Sequence, residues 1–408
     1  MIWKIARKEI AEHLLSFRFS LAAMLCAGVL LLSCLGMYRQ YEQRNRDYTL
    51  CQARQGEALA NIPPTLLSLF AWGLEDVTGR TVDLRYAPHV MVLGVRPPLN
   101  PFDTFFPTFD LSYVVRIIGA LVALSFAFDA ICREGSNGTL ALMLAAGASR
   151  GGILLGKLAG GFSVVALLFL FPVFLGLALL GILFSIPLTM EVLARILLWS
   201  GASLLYLFCF FCLGLLISAF FTTPRLSLLV CLMFWTMLIF IAPSAVTSVA
   251  HVETRLQSPV RFAQENLFSS KLAASQGRSN QEEGDRQLQK REARSHEMLR
   301  FTDLTLKVLR LLPGAAYVDL STNLAGTGVA EMASYYSAMQ RYIGAVIAAR
   351  EQKEEAPSFS FTRSPLGDCL HSSIVAIVSL MAWAVAALWS AGVALFHYDV
   401  RTKEVGQL

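Results

Sequence analysis

The chain reads as an all-α integral membrane protein with six transmembrane helices, an N-terminal interfacial helix, a short cytoplasmic helix and extracytoplasmic segments after helices 1 and 5. Three observations predict this. Of 408 residues, 55% are hydrophobic and 15% charged, with a mean hydropathy of +0.55, so a water-facing fold would lack the polar surface to cover its apolar side chains. Six apolar runs, at 17–37, 112–132, 158–183, 192–219, 226–250 and 372–396, are each long enough to cross a hydrocarbon core of about 30 Å. Lys and Arg in the short connections fall on alternate sides of these runs, which puts both termini in the cytoplasm. The lipid bilayer is thus the first partner. The formal charge of +5 is small and its basic residues are spread along the chain, which gives nucleic-acid binding no support.

Residues 1–16 place Trp3, Ala6, Ile10 and Leu14, followed by Phe17, on one helical face opposite Lys4, Lys8 and Glu12, the pattern of a helix lying in the membrane interface. The run 17–37 is the first span. Leu31 to Cys34 faintly resembles a lipoprotein cleavage site, but the leader is long and contains Glu9 and Glu12, which favours a retained helix. Residues 38–111 turn polar and then rich in proline, from Pro63 to Pro107, and predict an outer segment with little regular helix in its second half.

The second span, 112–132, carries Arg116 near its outer end and Asp129 near its inner end, where both can snorkel to the interface. A loop at 133–157 follows inside. In it Ser136, Asn137 or Thr139 can cap a short helix bearing Leu140, Leu142, Met143 and Leu144, and Gly147 can end it. The third span, 158–183, is interrupted by Pro172, a residue compatible with a kinked helix. Gly152, Gly156 and Gly160 recur every four residues through its entry, leaving a flat stripe on which another helix can approach closely.

Spans four (192–219) and five (226–250) form a hairpin around a tight turn containing Pro224 and Arg225. Residues 251–371 predict an outer helical domain with its own small core. Its polar tract, 269–300, lacks a bulky apolar stripe and is either a solvated helix or partly disordered; helix 330–350 aligns Met332, Tyr335, Tyr336, Met339, Ile343 and Val346. The sixth span, 372–396, leads to an inner tail at 397–408.

Motifs for chemistry are few. Gly151 to Leu158 matches the GxxxxGK part of a phosphate-binding loop, but Leu158 stands where a magnesium-binding hydroxyl is required and a span begins where a soluble strand-to-helix turn is needed. Cys209 and Cys212 form a CxxC among phenylalanines, a setting for packing and not for redox exchange. Most of the eight cysteines sit in or beside apolar runs as small fillers. Cys51 and Cys369 both face outward in this topology, where a disulfide would join the two outer segments; spacing alone does not decide it. The six histidines lack metal-ligand spacing, and neither GxSxG nor HExxH occurs. No acidic residue lies in mid-span as a proton-coupled carrier would commonly need. A membrane body without a visible energy source points to energy from a partner.

Asp129 to Glu134, then Gly138-Thr139-Leu140, a Leu-rich helix to Ala146, Ser149-Arg150 and Gly156-Lys157, together resemble the inner-loop signature of permease subunits of ABC transporters of the ABC-2 type. Leu324 to Gly328 with Tyr335 and Tyr342 resembles a subgroup with a large outer domain between the fifth and sixth spans. The resemblance implies a second permease subunit, forming a homo- or heterodimer, and a cytoplasmic ABC ATPase subunit that holds ATP and Mg. This chain would bind no cofactor and no metal and have no catalytic residue. It implies an exporter in a bacterial inner membrane, with a coupling helix that contacts the ATPase through Glu134, Gly138, Thr139, Leu140, Leu142, Met143 and Arg150. A membrane scaffold whose outer domain binds an envelope partner is the alternative reading.

Overall fold

The computed structural model describes residues 2–53, 59–84, 91–93, 109–184, 189–254 and 304–397. The polar tract 269–300 and the tail at 398–408, with Arg401 and Lys403, lie outside them. Six helices among the described residues are long and apolar enough to cross a membrane. They are Phe17–Gln52, Leu111–Ser136, Arg150–Phe184, Met190–Phe220, Pro224–Ala250 and the helix Leu366–His397. The chain divides into two compact units, Met1–Trp235 with Ala316–Leu408, and Thr236–Ala315.

The first unit is organised around the fourth span, which buries 72% of its most apolar stretch inside the protein. Trp199, Tyr206, Phe210 and Phe211 are fully enclosed along it. Small residues let its neighbours approach. A Cβ on Gly214 would meet Ala127 Cβ of the second span at 2.6 Å. The sixth span, which packs on the fourth, buries Ala376, Leu380, Ala384, Ala387 and Ala391 at helical spacing, the close-packing face expected where lipid gives no hydrophobic drive between helices. The first span buries Cys26, Leu30, Cys34 and Met37 and exposes Leu21, Leu25, Leu32 and Leu35, as a lipid-facing helix would. It runs on past Met37 to Gln52 as one helix, through the charged start of the predicted outer segment.

The two predicted outer segments share one core. A three-stranded antiparallel sheet, in the order β1 (Leu59–Ala60), β2 (Thr81–Asp83) and β3 (Met91–Leu93), adds a small β element to the all-α expectation. Ala60, Ile62, Val82 and Leu84 pack with Tyr335, Met339, Tyr342 and Val346 of the helix Val329–Glu351. Thr327 fastens the join: its hydroxyl donates to Ala71 O at 2.8 Å and its carbonyl accepts from Leu74 N at 2.9 Å. A Cβ on Gly73, whose φ is +53°, would lie 2.5 Å from that carbonyl, so both conformation and space require glycine there. Tyr317 stacks on Tyr206 with ring centroids 4.5 Å apart and shares a 2.8 Å hydrogen bond with Ser203. The segment 316–325, read from sequence as outer domain, therefore packs against the body of the fourth span.

Arg195 is buried, paired with Glu191 at 3.0 Å, and donates to Leu324 O at 3.1 Å and Ser364 O at 2.8 Å. It ties the fourth span to two distant segments. Cys51 and Cys369 are free thiols, and Cys369 Sγ lies 3.7 Å from Arg195 Nη1.

The second unit contains the π-helical turn Met237–Ile241 and the helix Ala242–Thr254. Pro243 in that helix can neither donate to nor sterically tolerate the regular ladder, and the wider turn before it accommodates the ring.

Candidate coupling site

The second span stops short of its predicted end. Regular helix ceases at Ala127, a turn follows at 128–131, and a short helix resumes at Cys132–Ser136. The turn is held by two serines of other spans. Ser218 Oγ accepts from Ile131 N at 2.9 Å and Cys132 N at 3.1 Å, while Ser227 Oγ donates to Phe128 O at 2.6 Å. Backbone groups freed by the break are satisfied, as burial requires.

The predicted short helix forms at Thr139–Ala145. Its N-cap is Gly138 at φ +73°, and no side chain caps it. The three candidate caps are otherwise engaged or idle: the Ser136 hydroxyl donates to Arg133 O and that of Thr139 to Glu134 O. A left-handed Gly147, at φ +84°, ends the helix, with Ala148 N bonded to Met143 O at 3.1 Å, a glycine C-terminal motif.

The predicted contact residues divide into two sets. Leu142 is 70% exposed, and Met143 and Leu144 are half-buried. Leu140 is 1% exposed and anchors the helix to its own chain. Glu134 is buried, and Arg150 donates to Leu395 O and Phe396 O at the end of the sixth span. The loop is thereby fixed at both ends to the bundle, with Leu142 at its crest.

The third helix begins at Arg150 rather than at 158, so the GGILLGK stretch is its first two turns. The glycine stripe there receives the N-terminal helix Ile2–Leu14. A Cβ on Gly156 would lie 2.8 Å from Ile5 Cγ2, and one on Gly160 2.6 Å from Ala6 O. The buried face of that helix is Ile5, Ala6 and Glu9; Trp3, Leu14 and Leu15 stay exposed, the apolar face left for lipid.

Lys157 lies at the centre of this contact. It is 2% exposed, donates to Glu9 Oε1 at 2.8 Å and stands 2.9 Å from Glu134 Oε2. Lys8 stands 3.5 Å from Glu134 and 3.4 Å from Glu12. Burial acts to lower the Lys8 pKa, but the carboxylates of Glu134, Glu12 and Glu9 together raise it. His13 Nε2 is 3.7 Å from Glu9 Oε2. Burial pushes the His13 pKa down, so at neutral pH it is an uncharged neighbour and Lys157 carries the cationic half of the pair. Beside this cluster Arg18 binds Asp129 at 2.8 Å, so Asp129 is buried and paired instead of snorkelling.

Sequence reading singled out Glu134, the Gly-Lys pair and Asp129, but not Glu9 as the partner of Lys157 or Arg18 as the partner of Asp129. The signal was present as Glu9 on a helix that otherwise faces lipid, where an unpaired carboxylate would be costly. Among the described residues no group of histidine, cysteine and carboxylate side chains could hold a metal ion.

A search of curated proteins finds no match. A family model described as ABC-2 family transporter protein matches residues 3–400, a span that takes in the interfacial helix, all six membrane helices and the ionic cluster. The chain therefore belongs to the ABC-2 transporter family, as a multi-pass permease subunit of an ABC transporter.

Proposed function

We propose that this permease subunit works in an exporter: ATP hydrolysis on a separate ABC ATPase, with its Mg, drives substrate outward through a pair of permease subunits. The observation that carries the coupling part is the short helix Thr139–Ala145, which presents Leu142 at its crest while Leu140, Glu134 and Arg150 fix it to the bundle. An exposed leucine beside a half-buried methionine is an apolar knob, and burying each such side chain in a groove contributes about 1.5–3 kcal/mol. A knob on a rigid mount can carry a push; one on a loose loop would fold away from it.

Sidedness follows from charge. Lys8, Arg18, Arg133, Arg150 and Lys157 gather around the short helix, and this concentration of basic residues supports a cytoplasmic face with both termini on that side. The shared core of the strand segment and the helix Val329–Glu351 supports the subgroup with a large outer domain.

The test is co-purification in mild detergent. The native chain brings down an ATPase subunit, and Leu142→Asp with Met143→Asp abolishes this while the melting temperature stays close to native. Leu140→Asp instead lowers the melting temperature. A normal yield of coupled ATPase with the first pair would overturn the contact assignment, and no ATPase partner for the native chain would favour the scaffold reading.

A further inference from the structure

Lys157 is more than a packing residue. A buried ion pair is weak evidence for stability, because well-packed apolar side chains of similar volume commonly do as well or better. What charge adds is register: two acids from separate elements converge on one ammonium, at 2.8 and 2.9 Å. Glu9 comes from the N-terminal helix, Glu134 from the helical turn before the coupling helix, and Lys157 from the second turn of the third span.

Each acid also has a second neighbour within reach. Lys8 stands 3.5 Å from Glu134, and His13 stands 3.7 Å from Glu9. Lys8 and His13 both ride on the N-terminal helix, and His13 is uncharged, so drawing any one of the three elements away leaves a buried carboxylate or ammonium without its charged partner, at a cost that keeps the three moving together.

We infer that Lys157 is a positioning residue whose single charge locks the N-terminal helix and the coupling loop to the third span, so that a push on the loop is delivered to all three together. This rests on the ATPase-driven reading above. The glycine stripe sets the distance at which the lock works, since Gly160 admits Ala6 and Glu9 to within contact of the third span. Arg150 extends the linkage to the sixth span through the carbonyls of Leu395 and Phe396.

The experiment uses the full chain with its ATPase in lipid nanodiscs and compares hydrogen exchange at residues 2–14 with and without a non-hydrolysable ATP analogue and Mg. Co-purification of the ATPase is scored first: its absence with the native chain defeats the functional reading, whereas its presence leaves the lock to be judged alone. The native complex is expected to show a nucleotide-dependent change in exchange at 2–14. The combination Glu9→Gln with Lys157→Met, which leaves Glu134 paired with Lys8, keeps the ATPase bound and loses that change at least about fivefold. Lys157→Arg retains it. Glu9→Gln alone, which leaves Lys157 balanced by Glu134, serves if the double variant does not fold, and it too diminishes the response. An unaltered response in a folded Glu9→Gln or double-variant complex overturns the lock, as does a native complex with no response at 2–14.

Discussion

Replacing Gly160 by alanine tests the close approach on which the ionic cluster depends. The new Cβ would lie 2.6 Å from Ala6 O and 2.7 Å from Glu9 Cβ, where ordinary contacts between carbons need about 3.5–4.0 Å. Backbone is the obstacle, so the N-terminal helix must retreat by about 1 Å. Lengthening the Lys157–Glu9 contact from 2.8 Å by that amount weakens the attraction by about 1.5 kcal/mol at an effective dielectric near 20. Overpacking adds about 1–3 kcal/mol, and alanine returns about 1 kcal/mol of helix propensity. The net expectation is a loss of about 1.5–3.5 kcal/mol, read as a lower melting temperature in detergent. Gly151→Ala is the control: nothing lies within 4 Å of its Cβ, so only the propensity gain remains and the melting temperature holds or rises. Gly156→Ala should likewise fall below Gly151→Ala, because its Cβ would lie 2.8 and 2.9 Å from Ile5 Cγ2 and Cβ and 3.2 Å from Ile2 O, atoms of a β-branched side chain and of backbone that cannot swing aside. Equal stability of Gly160→Ala and Gly151→Ala would refute the close packing and the lock that depends on it.

Three further outcomes are expected. Burial pushes Asp110 up to about 6, against the N–H groups of Trp72 and Tyr113 and the charge of Arg116, while in the unfolded chain it titrates near 3.9. The folded form thus keeps its proton between about pH 4 and 6 where the unfolded form has lost it, so stability falls as pH rises through that window, by on the order of 3 kcal/mol, and is flat above it. Asp110→Asn should remove this slope in melting curves taken from pH 4 to 7. Arg195→Met takes the donor from Leu324 O and Ser364 O at about 1–3 kcal/mol each, and limited proteolysis should then cut sooner around residues 326–365. Ser218→Ala leaves Ile131 N and Cys132 N without their acceptor, at a comparable cost per group, and should raise hydrogen exchange at those two amides above that of the native chain.

The six spans were legible because a long apolar run has one outcome in a bilayer, and the charges of the short connections then ordered them. The sheet was not. Strands of two or three residues are too short to show an alternating period, and their core partners, Tyr335 to Val346, lie some 250 residues further along the chain. The start of the third helix was read late because Gly151, Gly152 and Gly156 look like loop residues in isolation. In place they are the surface against which another helix rests, and a glycine chosen for close approach cannot be told by sequence from one chosen for a turn.

The same ambiguity governed Lys157. Gly-Lys at the end of a glycine-punctuated run invites a phosphate-binding reading, and rejecting that reading left the lysine without a role. Its meaning depends on Glu9, 148 positions away in the chain, on a helix whose amphipathic pattern directs attention to the lipid face. A charge on the protein-facing side of an interfacial helix is the one local feature that could have exposed the pairing. Lysine and carboxylate are each costly in an apolar setting alone and tolerable together. Where Glu9 faces a stripe of glycines with one buried lysine in its path, the need of each charge for the other makes the helix dock in one register. The cluster that holds the permease together at this end is therefore also the contact at which the coupling loop, the interfacial helix and the third span meet.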